Sequence, residues 1–211
     1  MKLSLGYPIM NRTVFLLALL SFTPTNAGAQ ALSPQQVTDA ALTRLLENVT
    51  YDGRYFSIPY PNGDVPAHLG VCTDVIIRAY RKIGIDLQRL VHEDMRANFS
   101  LYPKRWGLSR PDRNIDHRRV PNLATYFKRH GYSLKISDRA ADYQPGDLVT
   151  WDLDPGRREL PHIGIVVPSP DKSARPWIIH NIGSGPEKSD SLFHWKITGH
   201  YRFLPKIKPT P

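Results

Sequence analysis

The chain has 211 residues, 41% of them hydrophobic and 10% aromatic, which suits one globular domain with a sizeable core. It carries 28 Lys and Arg against 19 Asp and Glu, and the formal net charge of +9 favours anionic partners. The basic residues are scattered, and neither helix-turn-helix nor zinc-finger spacing occurs, so nucleic acid is not an expected partner.

Residues 1–29 have the pattern of a Sec-type signal peptide. Lys2 and Arg12 precede an apolar run over 14–20, and Ala27-Gly28-Ala29 is a small-x-small cleavage site. A membrane anchor needs roughly 20 apolar residues, although an uncleaved anchor is the alternative. We expect cleavage near Ala29 and a periplasmic or secreted protein without an integral membrane segment. The mature chain would keep 26 basic and 19 acidic residues, a net charge of +7.

The first half of the mature chain predicts helices. Ser33-Pro34-Gln35-Gln36 has the pattern of an N-cap with a capping box, opening a helix to about Asn48. An irregular Pro- and Gly-rich segment over 51–70 follows. Three more helices are predicted: one from Cys72 or Thr73 that stops before Gly84, one from Asp86 to about Asn98, and one from Pro121 to Gly131 after a long loop over 101–120.

The second half predicts strands. Five segments rich in β-branched and aromatic residues qualify: 133–136, 148–153, 163–167, 177–181 and 200–204. Helices first and strands afterwards predict an α+β domain, with the N-terminal helices packed on a C-terminal antiparallel sheet, over residues 30–204. The Pro- and Lys-rich tail 205–211 is expected to be poorly ordered.

Cys72 is the only cysteine, so it cannot form an intramolecular disulfide. In an exported protein, an unpaired thiol is either a small buried hydrophobe or a reactive group. Cys72 lies where a helix should begin, and the helix N-terminus lowers the pKa of a thiol. The backbone N–H of Cys72 would also be free to contribute to an oxyanion hole. These features make Cys72 a candidate nucleophile.

Two histidines are candidates for the base and its orienting partner. His162 begins one predicted strand, His180 ends the next, and the short loop between the strands predicts an antiparallel hairpin. Both histidines then lie at one end of the hairpin. If they face the Cys72 helix, His162 can take the thiol proton and His180 can orient it. Asn181 is the alternative orienting residue, and a solvent-facing or capping histidine is the alternative for His162 alone.

At these positions the sequence resembles NlpC-type cell-wall peptidases. Gly70-Val71-Cys72-Thr73-Asp74 resembles their Asp-Cys-Ser-Gly segment, and 144–149 resembles their Pro-Gly-Asp-Leu strand. The segment 162–166 resembles their His-Val-Gly-Ile strand, and Ile179-His180 their third catalytic position. Four segments carry a closer resemblance over the complete chain: Cys72-Thr73-Asp74, Asp116-His117-Arg118-Arg119-Val120-Pro121-Asn122-Leu123, His180-Asn181-Ile182-Gly183 and Gly199-His200-Tyr201. In these segments the chain resembles the YijF-like family, a bacterial group described mainly as a domain of unknown function. The resemblance implies a papain-like α+β fold and cysteine peptidase or amidase chemistry on peptidoglycan stem peptides.

Four residues are candidates for binding a substrate. Tyr60 falls where the NlpC-type family often has a tyrosine lining its site. Asp74 would contact a substrate amine, or favour the helix dipole as a first-turn acid. Arg118 would grip a substrate carboxylate, or lie in a solvated loop. Asn181 is the fourth. Thr73-Asp74 replaces the usual Ser-Gly and the insertion over 92–120 is long, and both departures alter the groove that a substrate would occupy.

The leading hypothesis is an exported hydrolase that cleaves an amide bond through Cys72, His162 and His180, with peptidoglycan or another cell-wall peptide as its partner. A non-catalytic wall-binding module and an acyltransferase acting on an amine or lipid are the alternatives. The eight histidines lack H-E-x-x-H or similar spacing, and no Walker or Rossmann glycine pattern occurs, so we expect neither a metal nor a cofactor.

Overall fold

The computed structural model describes residues 30–171 and 175–207, so the predicted signal peptide lies outside the described residues. The helices are α1 (Pro34–Leu42), α2 (Cys72–Lys82), α3 (Leu87–Asn98) and α4 (Val120–Arg129). The strands are β1 (Gln30–Ala31), β2 (Thr50–Tyr51), β3 (Leu69–Gly70), β4 (Leu148–Asp152), β5 (Pro161–Val167), β6 (Trp177–Asn181), β7 (Pro186–Ser189), β8 (Lys196–Tyr201) and β9 (Lys206–Ile207). Helices precede the main sheet, which confirms the predicted α+β class.

The helix boundaries follow local sequence signals closely. The Ser33 hydroxyl accepts the Gln36 N–H, and the Gln36 side chain accepts the Ser33 N–H, forming the predicted capping box at α1. Asp86 caps α3 through the N–H of Arg89, at 3.1 Å. The first helix is shorter than predicted, because regular α-helix ends at Leu42 and one 3-10 turn, Thr43–Leu46, follows.

The strand predictions are less accurate. Residues 133–136 form only an isolated bridge between Ser133 and Tyr201, after which the chain turns away at Ser137, whose hydroxyl accepts the Arg139 N–H. The last predicted strand lies earlier, at β8, and the polar strand β7 was not predicted. Part of the predicted disordered tail is ordered, because β9 pairs with β1; residues 208–211 lie outside the described residues.

The main sheet has the order β7-β6-β5-β4-β8, with every neighbouring pair antiparallel. Strand β5 lies at its centre and is apolar on both faces. Ile163, Ile165 and Val167 pack with the helices in a first core cluster, whereas Val166 belongs to a second cluster on the opposite face. The second cluster consists of Tyr143, Val149, Trp151, Val166, Ile178 and Leu192. A cysteine-bearing helix on this sheet gives the expected papain-like arrangement.

Helix α2 is buried along most of its length, from Cys72 to Tyr80. It packs on β5 and contacts α1 and α3. Its one buried arginine, Arg78, pairs with Asp64 at 3.0 Å and donates to the carbonyls of Val65, Pro66 and Leu69. These bonds satisfy backbone oxygens of the segment that leads to Cys72, most of which is irregular. Arg78 thereby holds the approach to Cys72 against the helix.

Candidate active site

Cys72 is the first residue of α2, as the sequence predicts, and its side chain is buried. A short parallel pair of strands leads the chain to it, with Tyr51 opposite Gly70. Val71 then has extended geometry, and its N–H donates to the Asp74 carboxylate at 2.7 Å. A carboxylate three residues into the helix therefore fixes the turn that presents the thiol.

The Cys72 sulfur is surrounded by hydrogen-bond donors. The backbone N–H groups of Ile163, Thr73 and Cys72 itself bond to it, and each lowers the thiol pKa. Burial outweighs these bonds and raises the pKa of Cys72 to about 12. The resting thiol is consequently neutral at pH 7. The bond from Ile163 places the sulfur against the backbone of β5, one residue from His162.

The Tyr51 hydroxyl lies near Cys72 and interacts with it electrostatically. Burial, followed by electrostatic interactions with Cys72 and Asp74, raises the pKa of Tyr51 to about 12. The tyrosine therefore remains protonated and able to donate a hydrogen bond near the sulfur. The side chain is only partly buried, with 42% of the residue exposed. A molecule approaching from solvent would meet Tyr51 beside Cys72.

His162 and His180 form a directly bonded pair, with His162 Nε2 2.8 Å from His180 Nδ1. Strands β5 and β6 form the predicted antiparallel hairpin, in which Ile165 lies opposite Ile179. Both histidines lie beyond that last pair, where the two strands are no longer paired in register. Both rings are buried, so neither histidine is the solvent-facing group considered as an alternative for His162.

The two imidazoles contact the aromatic residues around the second core cluster. The His162 ring centroid lies 5.9 Å from Trp151 and 6.1 Å from Trp195, and His180 also lies 6.1 Å from Trp195. This differs from the simple expectation that both histidines face α2, because the adjacent Ile163 and Ile179 take the positions facing the helices. Cys72 instead meets the sheet at the backbone of Ile163.

Burial keeps both histidines neutral. It lowers the pKa of His162 to about 3, with a further contribution from His180, and lowers the pKa of His180 to about 4. On the far side of the pair, His180 Nε2 lies 2.8 Å from Ser189 Oγ and 3.3 Å from Glu187 Oε1. A bonded series therefore runs from His162 through His180 to Ser189 of β7, with the Glu187 carboxylate beside its end.

Asp74 and Arg118 bind each other. The Arg118 guanidinium donates to both Asp74 oxygens, at 3.0 and 2.9 Å, and each side chain is only 3% exposed. Arg118 also donates to the carbonyls of Asp52 and Arg54. The solvated-loop alternative for Arg118 is wrong, because the guanidinium is buried. Substrate-binding roles for these two residues stay predictions, while the observed contacts hold the segment carrying Tyr51 against the start of α2.

Of the remaining two candidates, Asn181 lines a small cavity together with Gly70, Val71 and Asp74, whereas Tyr60 lies against α3. Asn181 is buried, its oxygen accepts the Gly183 N–H at 3.1 Å, and its Nδ2 is buried without a partner among the described residues. The Tyr60 ring packs on His92, with centroids 5.1 Å apart. Their substrate-binding roles also stay predictions. The tyrosine beside Cys72 is Tyr51. The sequence did not predict it, because the spacing of the NlpC-type family indicated Tyr60 instead.

The sequence also did not predict that Glu187 and Ser189 lie beside the imidazole pair. Their strand, Pro186–Ser189, lacks apolar alternation and gives no strand signal. Only its antiparallel pairing with β6, which places Glu187 opposite His180, brings both residues to the imidazole pair. Within residues 30–171 and 175–207, no group of three or more His, Cys, Asp or Glu side chains has a metal-holding arrangement. No helix in those ranges has the length and apolar content of a membrane span.

Comparisons with known proteins place this arrangement in a family. Residues 38–203 match the family described as Domain of unknown function (DUF1287). The chain is 48% identical over 183 residues to Uncharacterized protein YijF of Escherichia coli (strain K12), covering 87% of this chain and 88% of that protein.

Two solved structures, NlpC1 and NlpC2 from Trichomonas vaginalis, each share 15% identity with the chain, with TM-scores of 0.47 and 0.46. The matches cover 84% and 81% of this chain, which spans about half of each matched structure, at 46% and 47%. Because its family match extends over most of its length, the chain belongs to the DUF1287 family.

Proposed function

We propose that the chain is an exported cysteine hydrolase that cleaves an amide bond in peptidoglycan stem peptides. The observation that carries the proposal is the bonded series behind the thiol. The Cys72 sulfur lies near the backbone N–H of Ile163, the residue after His162, and His162 is hydrogen-bonded through His180 to Ser189, with Glu187 Oε1 3.3 Å from His180 Nε2. A neutral thiol in such surroundings needs a base with a free nitrogen.

The Glu187 carboxylate at the end of the series determines which ring nitrogens carry protons. The Glu187 carboxylate only accepts, so His180 Nε2 carries a proton. Neutral His180 then has a lone pair on Nδ1, which accepts from His162 Nε2–H. This leaves the lone pair of His162 on Nδ1. His162 is thereby held in the tautomer of a general base, and we propose that its Nδ1 takes the thiol proton in the reaction.

In the proposed reaction, His162 Nδ1 removes the thiol proton as the Cys72 sulfur attacks the substrate carbonyl. The imidazolium is stabilised by its bond to His180, and the Tyr51 hydroxyl is a donor suited to the developing oxyanion. His162 then protonates the leaving amine as the carbon–nitrogen bond breaks. Water, deprotonated by His162, attacks the thioester, which releases the acid and restores the thiol.

The test uses the mature chain and purified peptidoglycan, with released muropeptides identified by mass spectrometry. We expect wild-type protein to release new peptide fragments and Cys72→Ala to release none. Thr125→Ala, a change on α4, is the matched control and should retain activity. Full activity of Cys72→Ala would refute the assignment. Adding an amine acceptor distinguishes transfer from hydrolysis by the mass of the product.

The buried thiol favours one other candidate, a non-catalytic wall-binding module. Its supporting observation is that burial raises the pKa of Cys72 to about 12. Sedimentation with purified peptidoglycan separates the two functions. A wall-binding module would bind the polymer equally well in wild-type and Cys72→Ala forms and leave its composition unchanged, whereas a hydrolase would release fragments only in the wild-type form.

A further inference from the structure

A surface cavity lies along the segment that begins at Tyr51. Its volume is about 620 Å³, and its lining is Tyr55, His92, Arg96, Leu108, Arg110, Pro111, Asp112, Arg113 and Asn114. We call this cavity the arginine pocket. Tyr51 contacts Cys72 and Tyr55 lines the pocket, four residues later, so their Cα atoms are at most about 14 Å apart. An extended peptide of about four residues would cover that separation.

The arginine pocket has an excess of positive charge. Arg96, Arg110 and Arg113 are exposed, and none of them makes an ion pair within residues 30–171 and 175–207. Other arginines of the chain do pair, such as Arg129 with Asp94 and Arg105 with Glu159. Three unpaired guanidiniums on one cavity are suited to an anionic ligand, because guanidinium binds carboxylate with two parallel hydrogen bonds.

The lining also contains one carboxylate. Asp112 accepts hydrogen bonds from the Tyr55 hydroxyl at 3.1 Å and from the Asn114 N–H at 2.9 Å. Those bonds fix its position but leave acceptor capacity on its oxygens. With three arginines and one aspartate, the pocket favours a ligand that has more carboxylates than amines. Leu108 and Pro111 add apolar surface suited to the carbon atoms of such a ligand.

His92 supplies an independent observation. Its Nδ1 is buried and has no hydrogen-bond partner among the described residues, while its ring packs on Tyr60. A buried polar atom without a partner is uncommon and costs free energy until something bonds to it. An oxygen of a molecule in the cavity would provide that partner. The pKa of His92 is lowered by burial and then by Arg96 and Arg113, while Glu93 and Asp112 oppose this.

We infer that the arginine pocket binds the carboxylates of an acidic peptide, in a part of the substrate several residues from the bond that is cleaved. The inference rests on the proposed function for the direction of the substrate, but its binding chemistry stands on the pocket alone. Most of the pocket residues belong to the stretch 92–120, which the sequence analysis interprets as a long insertion relative to the NlpC-type pattern. They would provide the carboxylate recognition that the sequence assigned to Arg118.

Binding is measured by calorimetry on mature Cys72→Ala protein, which avoids turnover. The probes are the acidic stem peptide prepared from purified peptidoglycan and the same peptide with its carboxylates amidated. We expect the free acid to bind at least about tenfold more tightly. Arg96→Gln/Arg110→Gln should remove that preference. The control Lys82→Gln/Lys128→Gln, with the same change of charge at exposed positions on α2 and α4, should keep it.

Two outcomes would overturn the inference: equal binding of the two peptides, or a preference that the control variant loses as completely as the arginine variant. Tighter binding of inorganic phosphate than of the acidic peptide would also overturn it, in favour of a phosphate site. If the peptide binds as expected but wild-type protein does not cleave it, the proposed hydrolase function fails while the pocket assignment stands. The two proposals therefore have separate refutations.

Discussion

Replacing Arg118 with methionine tests whether the ion pair beneath the candidate site is structural. The methionine retains much of the side-chain volume and removes the charge, leaving the Asp74 carboxylate buried and unpaired. Arg118 and Asp74 are each 3% exposed and share two short bonds, so solvent cannot compensate. Breaking such a pair from one side costs about 3–5 kcal/mol. The carbonyls of Asp52 and Arg54 lose their donor as well.

The assay is equilibrium unfolding in urea, followed by tryptophan fluorescence. With a slope near 2 kcal/mol per molar urea, a loss of about 3–5 kcal/mol lowers the midpoint by about 1.5–2.5 M. Arg105→Met is the matched control, because Arg105 pairs with Glu159 at the surface, where the side chains are 44% and 53% exposed. That change should cost less than about 1 kcal/mol.

An unchanged midpoint for Arg118→Met, together with a raised KM for an acidic peptide, would refute the structural interpretation. It would restore the sequence-based prediction that Arg118 binds a substrate carboxylate. A double variant, Asp74→Asn with Arg118→Met, should recover part of the lost stability, because the unpaired charge is removed along with its partner.

Three further predictions concern the histidines and their support. Histidines in the unfolded chain bind protons below about pH 6.5, whereas burial holds the pKa values of His117, His162 and His180 at about 3, 3 and 4. The free energy of unfolding should therefore fall as the pH is lowered from 6.5 to 4, by about 1.4 kcal/mol per pH unit for each histidine that responds fully. Urea unfolding at a series of pH values measures this fall. Gly164→Ala puts a Cβ 2.5 Å from Ile178 Cγ2 and should cost about 1–3 kcal/mol in the same assay, with Gly53→Ala, which has room, as control. Glu187→Ala should lower kcat about tenfold with little change in KM, because the carboxylate would no longer help to keep the His180 proton on Nε2. An unchanged kcat would contradict this role of Glu187.

Local signals predicted the parts of the site that depend on neighbouring residues. The capping box at Ser33, the start of α2 at Cys72 and the hairpin of β5 with β6 all follow from residues close in sequence. Such features depend on backbone hydrogen bonding and turn chemistry, which act over a few positions. Local signals were therefore enough to predict Cys72 at a helix start and His162 and His180 at one end of a hairpin.

Features that depend on distant contacts could not be predicted in this way. Arg118 lies 44 residues from Asp74, and neither sequence neighbourhood indicates that the two side chains bury each other. Strand β7 is polar and is held by its pairing with β6, so its sequence lacks the alternation of a half-buried strand. The place of Tyr51 beside the sulfur similarly requires the short parallel pairing of β2 with β3.

The burial of the single thiol has a practical consequence for measuring motion. Cys72 is the only cysteine and only 5% of it is exposed, so local separation of α2 from the backbone of β5 increases the access of an alkylating reagent to its sulfur. When reclosing is faster than alkylation, the observed rate is the intrinsic thiol rate multiplied by the opening equilibrium constant. The dependence of that rate on urea then distinguishes a small local opening from global unfolding. The alkylation rate of Cys72 in the unmodified protein thus measures transient separation of α2 from β5.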